Sequence, residues 1–364
     1  YHPAMTQNHG GHDVRQTLDA DHHTDALAAP QSAADAPVEI RLARPEDAEG
    51  VAHCFFAAYG GSYDHGWVYQ PDALRLRWAD RSLVSVVGLA PDGELVGHLA
   101  ANFTGREAKV AQAGQAVVNP RFRGHHLFES MKRHLAGWAE REGLYGLFSQ
   151  ATTAHPYSQR GNLALGAHEM GFIFNYIPSS VDYKHIAQGA AARRKTAAQM
   201  YLRTNREPTR IVHLPPEYRQ VAERVYRNAG FARELGGGDG ASNDTACRLH
   251  SERDLVHQAA ILFCANLGTD AHAVIADHLA DLKKEDLASI WLDLPLADPN
   301  LYAHGAALKG LGFTFCCILP EAREDGDVLR LQYVSGADLN IGEIATSSDF
   351  GQSLLDDIAA EIER

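Results

Sequence analysis

Val117-Val118-Asn119-Pro120-Arg121-Phe122-Arg123-Gly124-His125-His126-Leu127-Phe128 is the stretch on which the fold turns. A short apolar run ends at a Pro turn and a basic, glycine-containing loop follows. Leu127, Met131, Leu135 and Trp138 then recur at helical spacing. The order is strand, anion-sized loop, helix N-terminus. Unpaired N–H groups at a helix start, backed by the helix dipole, seat a phosphate, and two arginines beside the loop add charge-assisted contacts.

The flanks repeat a simple grammar. Residues 38–42 alternate as a half-buried strand does, and Arg44-Pro45-Glu46-Asp47 opens a helix that stops near Gly60-Gly61. A second helical stretch spans 72–80. Residues 83–89 and 95–100 form a hairpin about Pro91-Asp92-Gly93-Glu94, whose Asp-Gly pair is a strong turn signal. Residues 109–118 lead into the opening stretch. After its helix, 145–151 reads as a strand, 162–169 as a short helix ending at Gly171, and 172–177 and 196–202 as two closing strands.

After Pro208 the order begins again. Arg210-Ile211-Val212-His213-Leu214-Pro215-Pro216-Glu217-Tyr218 mirrors Ile40-Arg41-Leu42-Ala43-Arg44-Pro45-Glu46-Asp47. Residues 300–315 with Pro320 echo 162–174 with Pro178, and 328–334 match the strand near Met200. An internal repeat of this length predicts two copies of one domain. In the second copy a helix at 274–282 stands where the phosphate-loop helix stood, with no Arg/Gly loop before it. One competent and one vestigial anion site are therefore expected. The boundaries are a polar leader at 1–37, a first domain at 38–207 and a second at 208–364. A helix at 348–362 closes the second, to pack on its own half or on another subunit. The fold class is α/β, an α+β mixed sheet in two tandem domains.

Composition agrees with two cores: 364 residues, 45% of them hydrophobic, exceed what one core usually holds. Lys and Arg total 33 against 46 for Asp and Glu, a net charge of -13. That balance argues against a broad nucleic-acid or anionic-membrane surface, yet leaves room for a local basic pocket. The five cysteines lack metal-site spacing, and Cys316 and Cys317 read as buried free thiols. Neither a signal peptide nor an apolar run of membrane-span length is evident, so a cytoplasmic home is the expectation. The leader's His2, His9, His12, His22 and His23 have no paired carboxylate or thiol to fix a geometry, and no metal site is expected there.

Strand, Arg-x-x-Gly loop, helix, strand, short helix and Gly-Phe-x-Phe hairpin together resemble the GNAT superfamily of acyl-CoA-dependent acyltransferases. The resemblance covers about 38–205 well and 209–345 as a weaker second copy. Arg121-Phe122-Arg123-Gly124-His125-His126 is similar to that family's pyrophosphate loop, Gln/Arg-x-x-Gly-x-Gly/Ala, and departs from it at His126, where a small residue is usual. The resemblance implies acetyl-CoA or a related acyl-CoA as co-substrate. It places the Val117 and Val118 backbone on the pantetheine arm, with Arg121, Arg123, Gly124, His125, His126 and Leu127 about the pyrophosphate. It also puts Asn162 on the cofactor arm, splays the parallel strands beside the loop, and implies direct transfer to an amine in a ternary complex.

Such transfer needs a deprotonated nucleophile, a polarised carbonyl and a proton for the departing thiolate. The family's usual Glu base and Tyr acid are both missing: the strand offers Gln112 and Gln115, and the Tyr position is Ala167. The nearest substitutes are His155 and Tyr157, with His168 a third; each also reads as loop bonding or packing. Residues 60–65, Gly-Gly-Ser-Tyr-Asp-His, are a candidate acceptor loop. The implied partner is a small-molecule amine, with the oligomeric state open and an internal pseudo-dimer one option. Two functions stay in view, an N-acetyltransferase and a non-catalytic acyl-CoA-binding sensor or scaffold. Use of aminoacyl-tRNA is disfavoured by the acidic balance.

Overall fold

The structure, a computed structural model, describes residues 37–105, 107–124, 126–180, 193–241, 246–334, 339 and 341–362. The polar leader up to residue 36, with its histidines, and His125 lie outside the described residues.

β1 (Glu39–Leu42) runs into a 3₁₀ turn at Pro45–Asp47. The Asp47 carboxylate accepts from the Arg44 N–H (2.7 Å) and from two nitrogens of Arg41 (2.7 and 2.9 Å), which ties the helix start to the strand. α1 (Ala48–Tyr59) ends on Gly60, whose left-handed backbone (φ 58°) glycine adopts without strain. α2 (Pro71–Ala79), β2 (Leu83–Leu89), β3 (Leu95–Asn102), β4 (Val110–Val118), α3 (Leu127–Arg141) and β5 (Gly146–Thr152) follow. α4 (Tyr157–Ala164), β6 (His168–Ile177) and β7 (Lys195–Arg203) close the first half.

The second half holds β8 (Arg210–Val212), α5 (Pro216–Asn228), β9 (Arg233–Leu235), β10 (Arg248–Asp254), β11 (Ala259–Asn266) and α6 (Ala271–Leu282). It continues through β12 (Ser289–Pro295), α7 (Gly305–Gly310), β13 (Thr314–Arg323), β14 (Gly326–Val334) and α8 (Asp349–Ile362).

One expectation is corrected here. The short helix expected at 162–169 occupies Tyr157–Ala164 instead, and His168 opens strand β6. The buried residues of α4 are Gln159, Gly161 and Asn162, so no apolar stripe marks it in the sequence. Gly171 ends no helix. It sits inside β6, where a side chain's first carbon would lie 1.9 Å from the Cys316 carbonyl oxygen.

Among the described residues, twelve strands form one mixed sheet in the order β1-β2-β3-β4-β5-β7-β6-β13-β14-β12-β11-β10. β10 to β14 pair in the same order as β3 to β7. Each set has one parallel pair, β4/β5 or β11/β12, bridged by a helix, α3 or α6. β8 stays out of this sheet and pairs with β9. The halves meet at β6 and β13 through Gly171 opposite Cys317. Gln332 secures the seam: its Nε2 donates to the Phe172 and Phe315 carbonyls (3.1 Å each), and its Oε1 accepts from the Phe174 N–H (3.1 Å). Buried Arg330 and Asp293 make a bidentate pair at 2.6 and 2.7 Å nearby.

α1 and α2 cover one face of the first half, with Val51, Phe55 and Leu74 on Leu83, Val87 and Val117. α3 covers the other with Leu127, Met131 and Leu135, and this core continues into the second half through Trp291, Phe315 and Leu355. α8 lies across the seam, against β6 and β13, with Ser348 donating to buried Glu169. All five cysteines are free, and Cys316 and Cys317 are buried.

Candidate functional site

The site begins where two strands part. β4 and β5 pair only from Val110↔Gly146 to Gln112↔Phe148, although β4 continues to Val118 and β5 to Thr152. Gln115 has left-handed backbone (φ 46°), and the β3/β4 register shifts between His98 and Ala100. Such a bulge turns the strand out of its ladder. A cavity of about 1310 Å³ opens between the parted edges.

Its basic end is the start of α3. Arg123, Gly124 (φ 85°), His126 and Leu127 line it. The Ser130 N–H donates to the His126 carbonyl (3.0 Å), and the N–H groups ahead of it have no carbonyl a turn earlier within the helix. His126 caps the helix in left-handed conformation (φ 54°). Its imidazole is 77% exposed and lies 3.4 Å from the Glu129 carboxylate, so its bulk stands over the first turn. Arg121 turns away and pairs with Glu94 (2.5 and 2.6 Å) outside the cavity. Across from the helix start, α4 presents two buried polar atoms that lack a hydrogen-bond partner among the described residues, Asn162 Oδ1 and Ser158 Oγ. Orphaned groups beside open strand edges fit an extended, amide-bearing chain entering the split.

The opposite end is aromatic and carries charges of both signs, lined by Tyr59, Tyr63, Asp64, His65, Trp67, Arg77 and Tyr176. The second half reaches it through His257, which stacks on Tyr176 (4.3 Å, 9°). His257 Nδ1 donates to Asp254 Oδ2 (2.7 Å), and its Nε2 lies 3.6 Å from Asp64 Oδ2. Burial alone would lower the His257 pKa, but the two carboxylates hold it above the usual imidazole range. Burial would likewise raise Asp64, but His257 outweighs it and keeps the carboxyl below its ordinary value. The Arg77 guanidinium lines the same end, 4.4 Å over the Trp67 ring, so charges of both signs meet there. Burial pushes His65 down, which leaves it a neutral imidazole able to take a proton.

Between the ends, Gln150 Oε1 accepts from Gln112 Nε2 (3.1 Å) and from the Tyr176 hydroxyl (3.0 Å). Burial raises the Tyr176 phenol well above its ordinary pKa, so it keeps its proton. On the α3 side, buried Lys132 donates to Ser149 Oγ, and burial pushes its ammonium down to about 7.

His155 and Tyr157, from the catalytic candidates, line the cavity with rings 5.3 Å apart, but on the basic side: Arg123 adds to burial in pushing His155 down. Tyr157 is 64% exposed. His168 is not brought to the cavity; it opens β6 and pairs with Tyr201 of β7. Val117, Val118 and Asn162 face the cavity with Arg123 to Leu127, His125 excepted as undescribed. Sequence reasoning had the loop carrying Asp64 and His65 but missed Tyr176, Gln150 and Lys132. His257, far away in the chain, carried no signal at all.

At the matching place in the second half the pocket is only about 330 Å³. Its β11/β12 ladder holds two residues longer, to Phe263↔Asp293. The Leu267 N–H before α6 is already taken by Asp298 Oδ2 (2.7 Å), and Asn300 holds the Leu267 carbonyl (2.8 Å). The protein's own carboxylate sits where an anion would.

Comparison with known proteins accords with this geometry. Residues 49–164 match the acetyltransferase (GNAT) family, so the first half carries a domain of that family. No curated protein sequence matches the chain. Similar solved structures include the ribosomal-protein-S5-alanine acetyltransferase of Vibrio fischeri, at 13% identity and TM-score 0.38 over 47% of this chain and 96% of that one. A Salmonella typhimurium acetyltransferase with acetyl-CoA has 14% identity and TM-score 0.38 over 48% and 97%. The phosphinothricin acetyltransferase of Sinorhizobium meliloti with acetyl-CoA has 18% and 0.37 over 46% and 88%. Among the described residues, no helix is long and apolar enough to cross a membrane.

Proposed function

We propose, from a first half that carries a GNAT acetyltransferase-family domain over 49–164, that residues 38–207 are an acyl-CoA-dependent N-acyltransferase. The acyl group, acetyl or a relative, passes directly to a small-molecule amine. Residues 208–364 are a second, degenerate copy of the fold that braces the sheet and closes the acceptor end. The observation that carries this reading is one cavity through the β4/β5 split with a basic helix start at one mouth and an aromatic pocket holding Asp64 and His65 at the other.

The co-substrate supplies an activated acyl carbonyl and a thiolate leaving group. Arg123 and the α3 start hold its phosphates, and Asn162, Ser158 and the open β4 edge hold its arm. Asp64 attracts the acceptor ammonium, which the aromatic walls shield from water. His65 takes the proton that frees the amine for attack. Tyr176, protonated and at the split, returns a proton to the thiolate. His155 and Tyr157 wall the arm beside Arg123, and His155 is the second candidate base. His168 keeps a structural place on β6.

A panel of amines with acetyl-CoA, followed by thiol release, tests the reading. Acceptor-dependent release is expected, cut by about 100-fold or more in His65→Gln with coenzyme A binding unchanged. The Gln112 and Gln115 amides, standing where a base is usual, favour the non-catalytic sensor as the second reading. Binding without release across the panel would establish that one.

A further inference from the structure

We propose that Lys132 is itself an acyl acceptor, a modification site that the cleft acylates when no competing amine is bound. Resting on the acyl-CoA reading, the proposal adds a second fate for the acyl group.

Lysine is almost never fully buried without a partner of opposite charge, because an isolated ammonium pays a large desolvation cost. Lys132 is 1% exposed, its recorded partner is the neutral Ser149 hydroxyl, and it forms no ion pair among the described residues. Its side chain lines the cavity. Its position is specific. Ser149 follows Phe148, the last β5 residue paired with β4, so the amine sits at the vertex of the split. The anion seat at Leu127 lies five residues back along α3, about 7.5 Å of helix. A chain that reaches from the seat into the split runs past the Lys132 Nζ. A phosphate partner for Lys132 is the poorer fit, since the basic seat stands at the other end of that run.

The chemistry is that of the parent reaction. The Nζ lone pair attacks the thioester carbonyl carbon, the C–N bond forms and the C–S bond breaks. The surplus N–H proton passes to the departing thiolate, with Ser149, already bonded to Nζ, as the bridge. The products are a neutral amide and a free thiol. The amide ends the cost of a buried amine, and its added bulk fills the vertex, so the modified form excludes a second acyl donor.

Incubation with acetyl-CoA and no amine, followed by intact mass and peptide mapping, tests this. One acetyl group is expected on the Lys132 peptide, absent in Lys132→Met, which keeps the aliphatic stem, and at least tenfold slower in Arg123→Ala. The rate should level off above about pH 7, to which burial pushes the Lys132 ammonium, where ordinary lysines climb toward about 10.4. Competition labelling of the free protein with acetic anhydride reads the same midpoint without any thioester. Coenzyme A binding without acetylation of Lys132, or acetyl groups spread over surface lysines, overturns the proposal. Failure of coenzyme A to bind overturns the acyl-CoA reading and takes this proposal with it, a result that calorimetry separates from the others.

Discussion

His98 shows how one side chain sets the cleft. Fully buried, it gives its Nδ1–H to the Gln115 carbonyl (2.8 Å), so its Nε2 must accept from the Ser85 hydroxyl (2.9 Å). Ser85 in turn accepts from Trp78 Nε1 (3.0 Å), which links α2, two strands and the β4 bulge. Burial pushes His98 down to about 4. Because the folded value lies below the unfolded one of about 6.5, protonation favours unfolding. The stability contribution is complete above about pH 6.5 and falls by about 3 kcal/mol as pH drops through 4. Denaturant melts between pH 7 and 4 should show this slope, and His98→Gln should flatten it. At the same scale, the departure at His126 was plain in the sequence, but its consequence was not. Histidine tolerates left-handed backbone better than most residues, and only coordinates show its ring turned outward.

Among elements, α3 was the easiest to read, because Leu127, Met131 and Leu135 form an apolar stripe over the sheet. It rests on Gly97, where an added carbon would come within 3.0 Å of both Leu127 and Met131. Gly97→Ala is expected to cost about 1–3 kcal/mol by overpacking. The same variant should weaken coenzyme A binding by shifting the helix start, which titration alongside thermal melts can check. The sequence reading misplaced α4 because its buried face, Gln159, Gly161 and Asn162, is polar and small and shows no apolar stripe. The β4/β5 split was expected from the resemblance, yet its vertex depends on a bulge at Gln115 that no local residue pattern announces.

At the scale of the molecule, β10 to β14 pair in the same order as β3 to β7, and the Leu267 N–H before α6 is taken by Asp298. The continuous sheet was not legible. It depends on Gly171 passing against Cys316 and Cys317, and on Gln332 bonding across the seam, contacts between residues about 150 apart in the chain. Nor could the sequence bring His257 to Asp64, since the approach exists only once the halves share one sheet. The proposed function requires this one cavity to hold an acyl donor. Calorimetric titration of coenzyme A into wild type and Arg123→Ala tests that most directly. Binding by wild type, weakened by about 10-fold or more in a variant of unchanged melting temperature, is the expected result. No binding by wild type, or equal binding by both proteins, would contradict it.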